Sequence, residues 1–198
     1  MTQSNVKIAV TGGIGSGKST VLNFLRELGF KVISLDNVYK QLLKESDFKK
    51  LIAAEFGNVF SSDGSLDRNK LAEMVFSDSE KLIKLNNLTH PLIYKRAFEQ
   101  AQNFKLCFFE VPLLFEEGGE SKFDEVIVIV RDTENRIKSV ELRDNLSEDE
   151  VKIRINRQFD YNIDKLSKYY VIHNNGNLND LSMEIEAVVH NLRCKYGI

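Results

Sequence analysis

The chain has 198 residues, 42% of them apolar and 28% charged, which fits one soluble globular domain with room for a sizeable core. A net charge of −2 provides no global basic field for nucleic acid or an anionic membrane surface. The two cysteines, Cys107 and Cys194, match no metal spacing and form no disulfide framework, so a reducing, cytoplasmic location is expected. No stretch approaches the roughly 20 apolar residues needed to span a bilayer, and the first five residues lack a signal-peptide core.

Five short runs, nearly continuous in apolar residues, read as strands: Val6 to Thr11, Lys31 to Ser34, Leu106 to Glu110, Val126 to Val130 and Tyr169 to His173. That is how strands covered on both faces of a parallel sheet look. After the first strand, Gly12-Gly13-Ile14-Gly15-Ser16-Gly17-Lys18-Ser19 matches G-x-x-x-x-G-K-S at every required position, and a helix from Lys18 to Leu28 follows, stopped by Gly29. Glycines let such a loop turn its amides inward on an anion, and the helix N-terminus adds its positive end. Gly13, Gly15, Ser16, Gly17, Lys18, Ser19 and Thr20 are therefore expected to bind the nucleotide. Lys18 would reach the β- and γ-phosphates, Ser19 would ligate Mg²⁺ and Thr20 would hold the α-phosphate side. A dinucleotide fingerprint fails, because Lys18 stands where its last glycine should be.

The second strand leads to Asp36, which can accept the proton of an attacking hydroxyl or simply cap a helix. Residues 37–103 are too long for a simple crossover and read as an inserted helical lobe. Within them Leu82, Leu85, Leu88, Leu92 and Ile93 recur at helical spacing, Ser77 to Glu80 fits a capping box, and Asp67 can cap another helix. Glu110 ends the third strand, as a water-mediated Mg²⁺ ligand or a plain surface acid. Residues 132–166 form a second helical excursion, rich in Arg136, Lys138, Arg143, Lys152, Arg154 and Arg157, with a capping box at Ser147 to Glu150 and a turn at Asp144 to Leu146. It reads either as a lid over polyphosphate, with Arg143 as its contact, or as a solvated, charge-laced helix pair.

The resulting fold class is α/β: a P-loop three-layer sandwich with a five-stranded parallel sheet, an inserted helical substrate lobe and a helical lid. One domain, 1–198, would comprise a core (1–36, 104–131, 167–198), the lobe (37–103) and the lid (132–166). A nucleotide switch is disfavoured, because Asn69-Lys70-Leu71-Ala72 lacks the aspartate of N-K-x-D and no D-x-x-G occurs. A kinase, with acceptor site, acceptor-side carboxylate and basic lid, accounts for more of the chain; a nucleoside monophosphate kinase is the nearest alternative.

Later segments narrow the choice. Thr11 to Thr20, Leu66-Asp67-Arg68 with Val75-Phe76, Thr89-His90-Pro91 with Ile93, Val111 to Glu116 and Asn174-Asn175-Gly176 follow one another as in the dephospho-CoA kinase family, which the chain resembles from about residue 6 to 176. The resemblance implies ATP- and Mg²⁺-dependent transfer to the ribose 3′-hydroxyl of dephospho-coenzyme A, the final step of coenzyme A biosynthesis. It implies catalytic roles for Asp36, Lys18 and Arg143, acceptor contacts at Asp36, Arg68, His90, Pro112 and Leu113, and metal contacts at Ser19 and Glu110. His90 is read as a structural or acceptor-contacting residue rather than a proton carrier, and Arg68 as an acceptor-phosphate contact or an exposed helix-start arginine. A monomer acting on a small molecule, with no nucleic-acid or membrane partner, is expected. The chain departs from the family pattern at Ser34, where the first aspartate of a D-A-D segment falls, and at Glu110, where an aspartate is usual. One lid arginine falls on Ser139, and the A-D before the last strand reads Lys168-Tyr169-Tyr170.

Overall fold

In the computed structural model, residues 5–57, 59–76 and 78–198 are described, the side chains of Arg68, Phe76 and Ile163 excepted. The elements are β1 (Val6–Gly12), α1 (Lys18–Glu27), β2 (Lys31–Ser34), α2 (Leu35–Leu42), α3 (Ser46–Phe56), α4 (Arg68–Phe76), α5 (Ser79–Ala101), β3 (Leu106–Glu110), β4 (Glu125–Val130), α6 (Thr133–Asp144), α7 (Glu148–Asn156), β5 (Tyr170–His173) and α8 (Leu178–Tyr196). They divide into two compact units, residues 1–33 with 101–198, and residues 34–100.

In the first unit the sheet has the order β2-β3-β1-β4-β5. β1 is central, parallel to β3 (Val6 opposite Leu106) and to β4 (Ile8 opposite Glu125), and β4 is parallel to β5. Alternate residues explain why these runs are apolar throughout. Ile8, Val10, Phe108, Ile127 and Ile172 point to a face packed by Val21, Leu22 and Leu25 of α1 and by Leu181, Ile185 and Leu192 of α8. On the opposite face Ala9, Cys107, Phe109 and Val128 are also buried, and Phe109 packs on Phe123 with ring centroids 5.5 Å apart. A sheet buried on both faces needs no polar alternation, so the expected five-stranded α/β core is present.

The starts of α4, α5, α7 and α8 carry side-chain caps. Ser147 and Glu150 form the expected capping box at α7, and Asn145, in the left-handed region, ends α6. A second box, Asn177 with Asp180, starts α8. Asp67 accepts from the amide of Lys70 at α4, as expected. At α5 the capping group is Asp78, which accepts from the amides of Glu80 and Lys81, while Ser77 lies outside the described residues.

In the second unit, α2 to α5 bury Val38, Leu42, Phe48, Ile52, Leu71, Ile93 and Ala97, and Arg96 makes a two-pronged pair with Glu45. Of the apolar positions read along α5, Ile93 is buried, whereas Leu82, Leu85, Leu88 and Leu92 are half-buried. The helix continues across Pro91, whose ring withholds one amide from the ladder.

Candidate active site

The phosphate loop leaves β1 at Gly12 and enters α1 at Lys18, so the ends of a central strand and a ten-residue helix fix both of its ends. Two glycines are dictated by backbone and space together. Gly15 has φ +74°, and a Cβ there would lie 2.6 Å from the Arg136 carbonyl oxygen. Gly17, the N-cap of α1, has φ +93°, and a Cβ would lie 2.1 Å from Nδ2 of Asn174. Both conformations disfavour any side chain; at Gly15 the close atom is backbone, and at Gly17 a Cβ would displace the Asn174 amide.

Those contacts show how the loop is held. Arg136, buried on α6, donates from Nε to the carbonyl of Ile14 (2.9 Å) and from an Nη to Oε1 of Gln158 (3.4 Å). The same Gln158 oxygen accepts from the Ile14 amide at 2.7 Å. Both polar groups of the residue at the crown of the loop are thus satisfied by α6 and by the segment after α7. Asn174, the residue after β5, donates to the carbonyl of Ser16 at 2.8 Å. Arg131, the residue after β4, donates to the Ser139 hydroxyl (2.7 Å) and more weakly to the carbonyl of Gly15 (3.4 Å).

Lys18 donates to the carbonyls of Gly12 (2.6 Å) and Gly13 (3.1 Å), folded back across its own loop. Burial lowers its pKa to about 8, with the positive charges of Arg136 and Arg143 adding to the effect and Glu110 and Glu116 opposing it. Lys18, Glu110, Glu116, Arg136 and Arg143 therefore share one electrostatic neighbourhood. Arg143 is exposed in the last turn of α6 and grips Asp144 through two hydrogen bonds of 2.7 and 2.8 Å, which raise its pKa. To reach a phosphate it must exchange that carboxylate for the ligand.

The other residues singled out in the sequence fall as follows. Gly13 is buried against the Arg136 guanidinium. Ser16 is buried, its hydroxyl without a hydrogen-bond partner among the described residues. Ser19 is exposed and Thr20 half-buried in the first turn of α1. Glu110 is half-buried at the end of β3. Beyond it Pro112 is half-buried and Leu113 exposed, on a loop anchored by Phe115, whose ring lies 4.5 Å from Phe159 and 5.1 Å from Tyr169. Glu116 accepts from the amide of Phe159, tying the same loop to the segment after α7. Asp36 is exposed in the first turn of α2, directly after β2. Its neighbour Ser34 occupies the N-cap without a side-chain bond, so Asp36 is not the cap. His90 is half-buried in the middle of α5; Arg68 begins α4, and its side chain lies outside the described residues.

Sequence reasoning assigned no site role to Arg131, Arg136, Gln158 or Asn174. Arg136 left a signal: it sits four residues before Val140 on the buried face of α6, next to buried Ile137, where a surface arginine would not be placed. Asn174 left a weaker one, as an amide directly after the last strand. Gln158 left none.

For Mg²⁺, the donors on offer are the Ser19 hydroxyl and the Glu110 carboxylate, hard oxygens of the kind this ion takes alongside water and phosphate. No cluster of three or more His, Cys, Asp or Glu suited to a metal occurs among the described residues.

A phosphate loop at the end of a central parallel strand, a lysine across it and arginines from the following helices define a P-loop kinase. The family model for CoaE, dephospho-CoA kinase, matches residues 6–180. The dephospho-CoA kinase of Fusobacterium nucleatum is 37% identical over 90% of this chain and 94% of its own length, and that of Wolinella succinogenes is 32% identical over all of both chains. The chain belongs to the dephospho-CoA kinase family. Among solved structures, a Thermus thermophilus protein superposes with a TM-score of 0.82 at 33% identity, covering 95% of this chain and 98% of that one. The dephospho-CoA kinase from Campylobacter jejuni gives 0.67 at 32% identity, covering 94% and 96%. A shikimate kinase from Acinetobacter baumannii, 12% identical with a TM-score of 0.52, shares the fold.

Proposed function

We infer that this chain transfers the terminal phosphoryl group of ATP to the ribose 3′-hydroxyl of dephospho-coenzyme A, giving coenzyme A and ADP as the last step of coenzyme A biosynthesis. The observation that carries the reading is a complete phosphate loop, clamped at its crown, in a chain of the dephospho-CoA kinase family. Its amides and Lys18 would bind the polyphosphate, and the charge of Lys18 would offset the charge gathering on the transferring oxygens. Arg143, released from Asp144, would close on the same phosphates. The Ser19 hydroxyl and, through water, the Glu110 carboxylate would hold Mg²⁺, which would supply positive charge to the triphosphate.

Asp36 is proposed to accept the acceptor's proton, from its place directly after β2, where strand ends of an open α/β sheet bear functional groups. Arg68 and His90, in a helical lobe at 37–103, and Pro112 and Leu113, on the loop after β3, are proposed to bind the acceptor, with 132–166 as the lid. No helix among the described residues is long and apolar enough to cross a membrane. Action as a cytoplasmic monomer on a small molecule, without nucleic acid, belongs to the same proposal.

The test is a coupled assay of ADP release with ATP and dephospho-coenzyme A, with phosphorus NMR to locate the new phosphate. Acceptor-dependent ADP release and a 3′-phosphomonoester are expected. Asp36→Asn should lower kcat by at least about 100-fold, the usual scale for a positioned acid or base, with ATP affinity nearly unchanged. Release of ADP that does not depend on the acceptor would overturn the assignment, and normal turnover in the Asp36 variant would remove that residue from it.

A further inference from the structure

Arg131 has no part in the scheme above, yet it is held as a functional arginine is. It follows β4 directly, beside Asn174, which follows β5, because Val130 and His173 are register partners. One of its guanidinium nitrogens donates to Ser139 at 2.7 Å and to the Gly15 carbonyl at 3.4 Å, while its buried Nε has no hydrogen-bond partner among the described residues. The nearest acid in sequence, Asp132, is taken up by Asn175, which donates to it at 2.9 Å. Among the described residues Arg131 has no carboxylate ion pair, unlike Arg143 and Arg154, which share Asp144. A guanidinium pinned in place with its charge uncompensated is prepared for a ligand.

The surroundings say which part of a ligand. Arg131 lines a groove of about 630 Å³ together with Gly17, Thr20, Asn174, Asn177 and Leu178, and no acidic side chain lines it. Gly17 precedes Lys18 and Thr20 lies two residues beyond it, so a triphosphate anchored at Lys18 would lead its nucleoside toward this groove. Leu178, at the start of α8, is 64% exposed, an apolar surface with no core to join. A flat cation and an exposed aliphatic side chain in one groove suit a planar aromatic heterocycle better than another phosphate.

We propose that Arg131, pinned by Ser139, forms a wall of the base subsite and stacks on the base of the bound nucleoside triphosphate. The proposal rests on the kinase reading for the presence of a nucleotide, but not on the identity of the acceptor. It assigns Ser139 a positioning role: the hydroxyl holds the guanidinium plane in the groove.

The test is calorimetric titration of the full chain with ADP and, separately, with inorganic tripolyphosphate, which has no base. Arg131→Ala should weaken ADP about tenfold, the size of a desolvated cation–π contact, and tripolyphosphate less than about twofold. In turnover the KM for ATP should rise by about the same factor with kcat nearly constant. Ser139 Oγ lies within hydrogen-bond reach of the guanidinium, so an arginine grown from position 139 can fill the same space. Arg131→Ala with Ser139→Arg should recover most of the ADP affinity. Equal weakening of ADP and tripolyphosphate assigns Arg131 to the phosphates and overturns the proposal, as does no weakening of either. If Arg131→Ala melts near the assay temperature, Ser139→Ala is read instead, with an expected loss of about threefold for ADP alone; no loss there overturns the pinning. These titrations need no acceptor, so a failure of the coupled assay with dephospho-coenzyme A leaves them decisive.

Discussion

Lys18 sits where its own charge is disfavoured until a ligand arrives. Burial is the main cause of its lowered pKa of about 8, and Arg136 and Arg143 add to it. The linkage has a definite sign. The folded chain binds fewer protons at this site than the unfolded chain between about pH 8 and the ordinary lysine value of 10.5, so the contribution of Lys18 to stability grows as pH rises through that window. Below it the lysine is charged in both states, and the penalty is constant. A polyphosphate reverses the balance by supplying negative charge to the ammonium group. Nucleotide binding at pH 8 should therefore take up roughly half a proton at this site, and close to none at pH 6.5. Calorimetry in buffers of different ionisation enthalpy measures the uptake directly. Lys18→Met should abolish the excess at pH 8; an unchanged proton count in that variant would assign the uptake elsewhere.

At the scale of elements, α6 is the part that makes the phosphate loop more than a flexible turn. Through Arg136 it grips the Ile14 carbonyl, and through Gln158 the segment after α7 grips the Ile14 amide. Hydrogen bonds to a charged donor, buried beside a loop with few contacts of its own, contribute about 2 kcal/mol. Arg136→Ala should lower the unfolding free energy by that amount in a denaturant titration and should weaken tripolyphosphate as well as ADP, because the crown loses its carbonyl partner. Arg136→Met keeps most of the packing volume, so it should recover part of the stability and little of the phosphate affinity. Recovery of both would mean that only packing matters at this position. None of this linkage was legible in the sequence, since Ile14 is 122 residues from Arg136 and 144 from Gln158. What could be read was local. The strands were visible because both faces of the sheet are buried, yet three of their ends differ by one residue. β1 extends to Gly12, β4 begins at Glu125 and β5 at Tyr170, because pairing with a neighbouring strand, not apolarity, decides where a strand ends. The Ser147 box was legible because its partners lie three residues apart, and the phosphate loop because all of its chemistry lies within eight residues. The role of Ser139 was not, because its partner Arg131 lies off its helix.

Over the whole molecule, the two units carry different chemistry. The loop, Lys18, Arg131, Arg136, Arg143 and Asn174 belong to the unit of residues 1–33 and 101–198; Asp36, Arg68 and His90 belong to residues 34–100. If the phosphate loop binds the nucleotide, and Arg68 and His90 join Pro112 and Leu113 of the first unit in binding the acceptor, the two ligands should stabilise the protein through separable sets of residues. A ligand at 100 times its Kd adds about 2.7 kcal/mol to the stability of the state it binds, a shift of several degrees for a chain of this size. Melting curves with ATP and with dephospho-coenzyme A, each at saturation, should both move upward in the unaltered protein. Lys18→Ala should lose most of the shift with ATP and keep that with dephospho-coenzyme A. Arg68→Ala should do the opposite. Loss of both shifts in either variant would mean that the ligands share determinants across the two sets, and that the division of labour drawn from the sequence is wrong. Retention of the acceptor shift in Arg68→Ala would take that arginine out of the acceptor site while leaving the nucleotide half of the scheme in place.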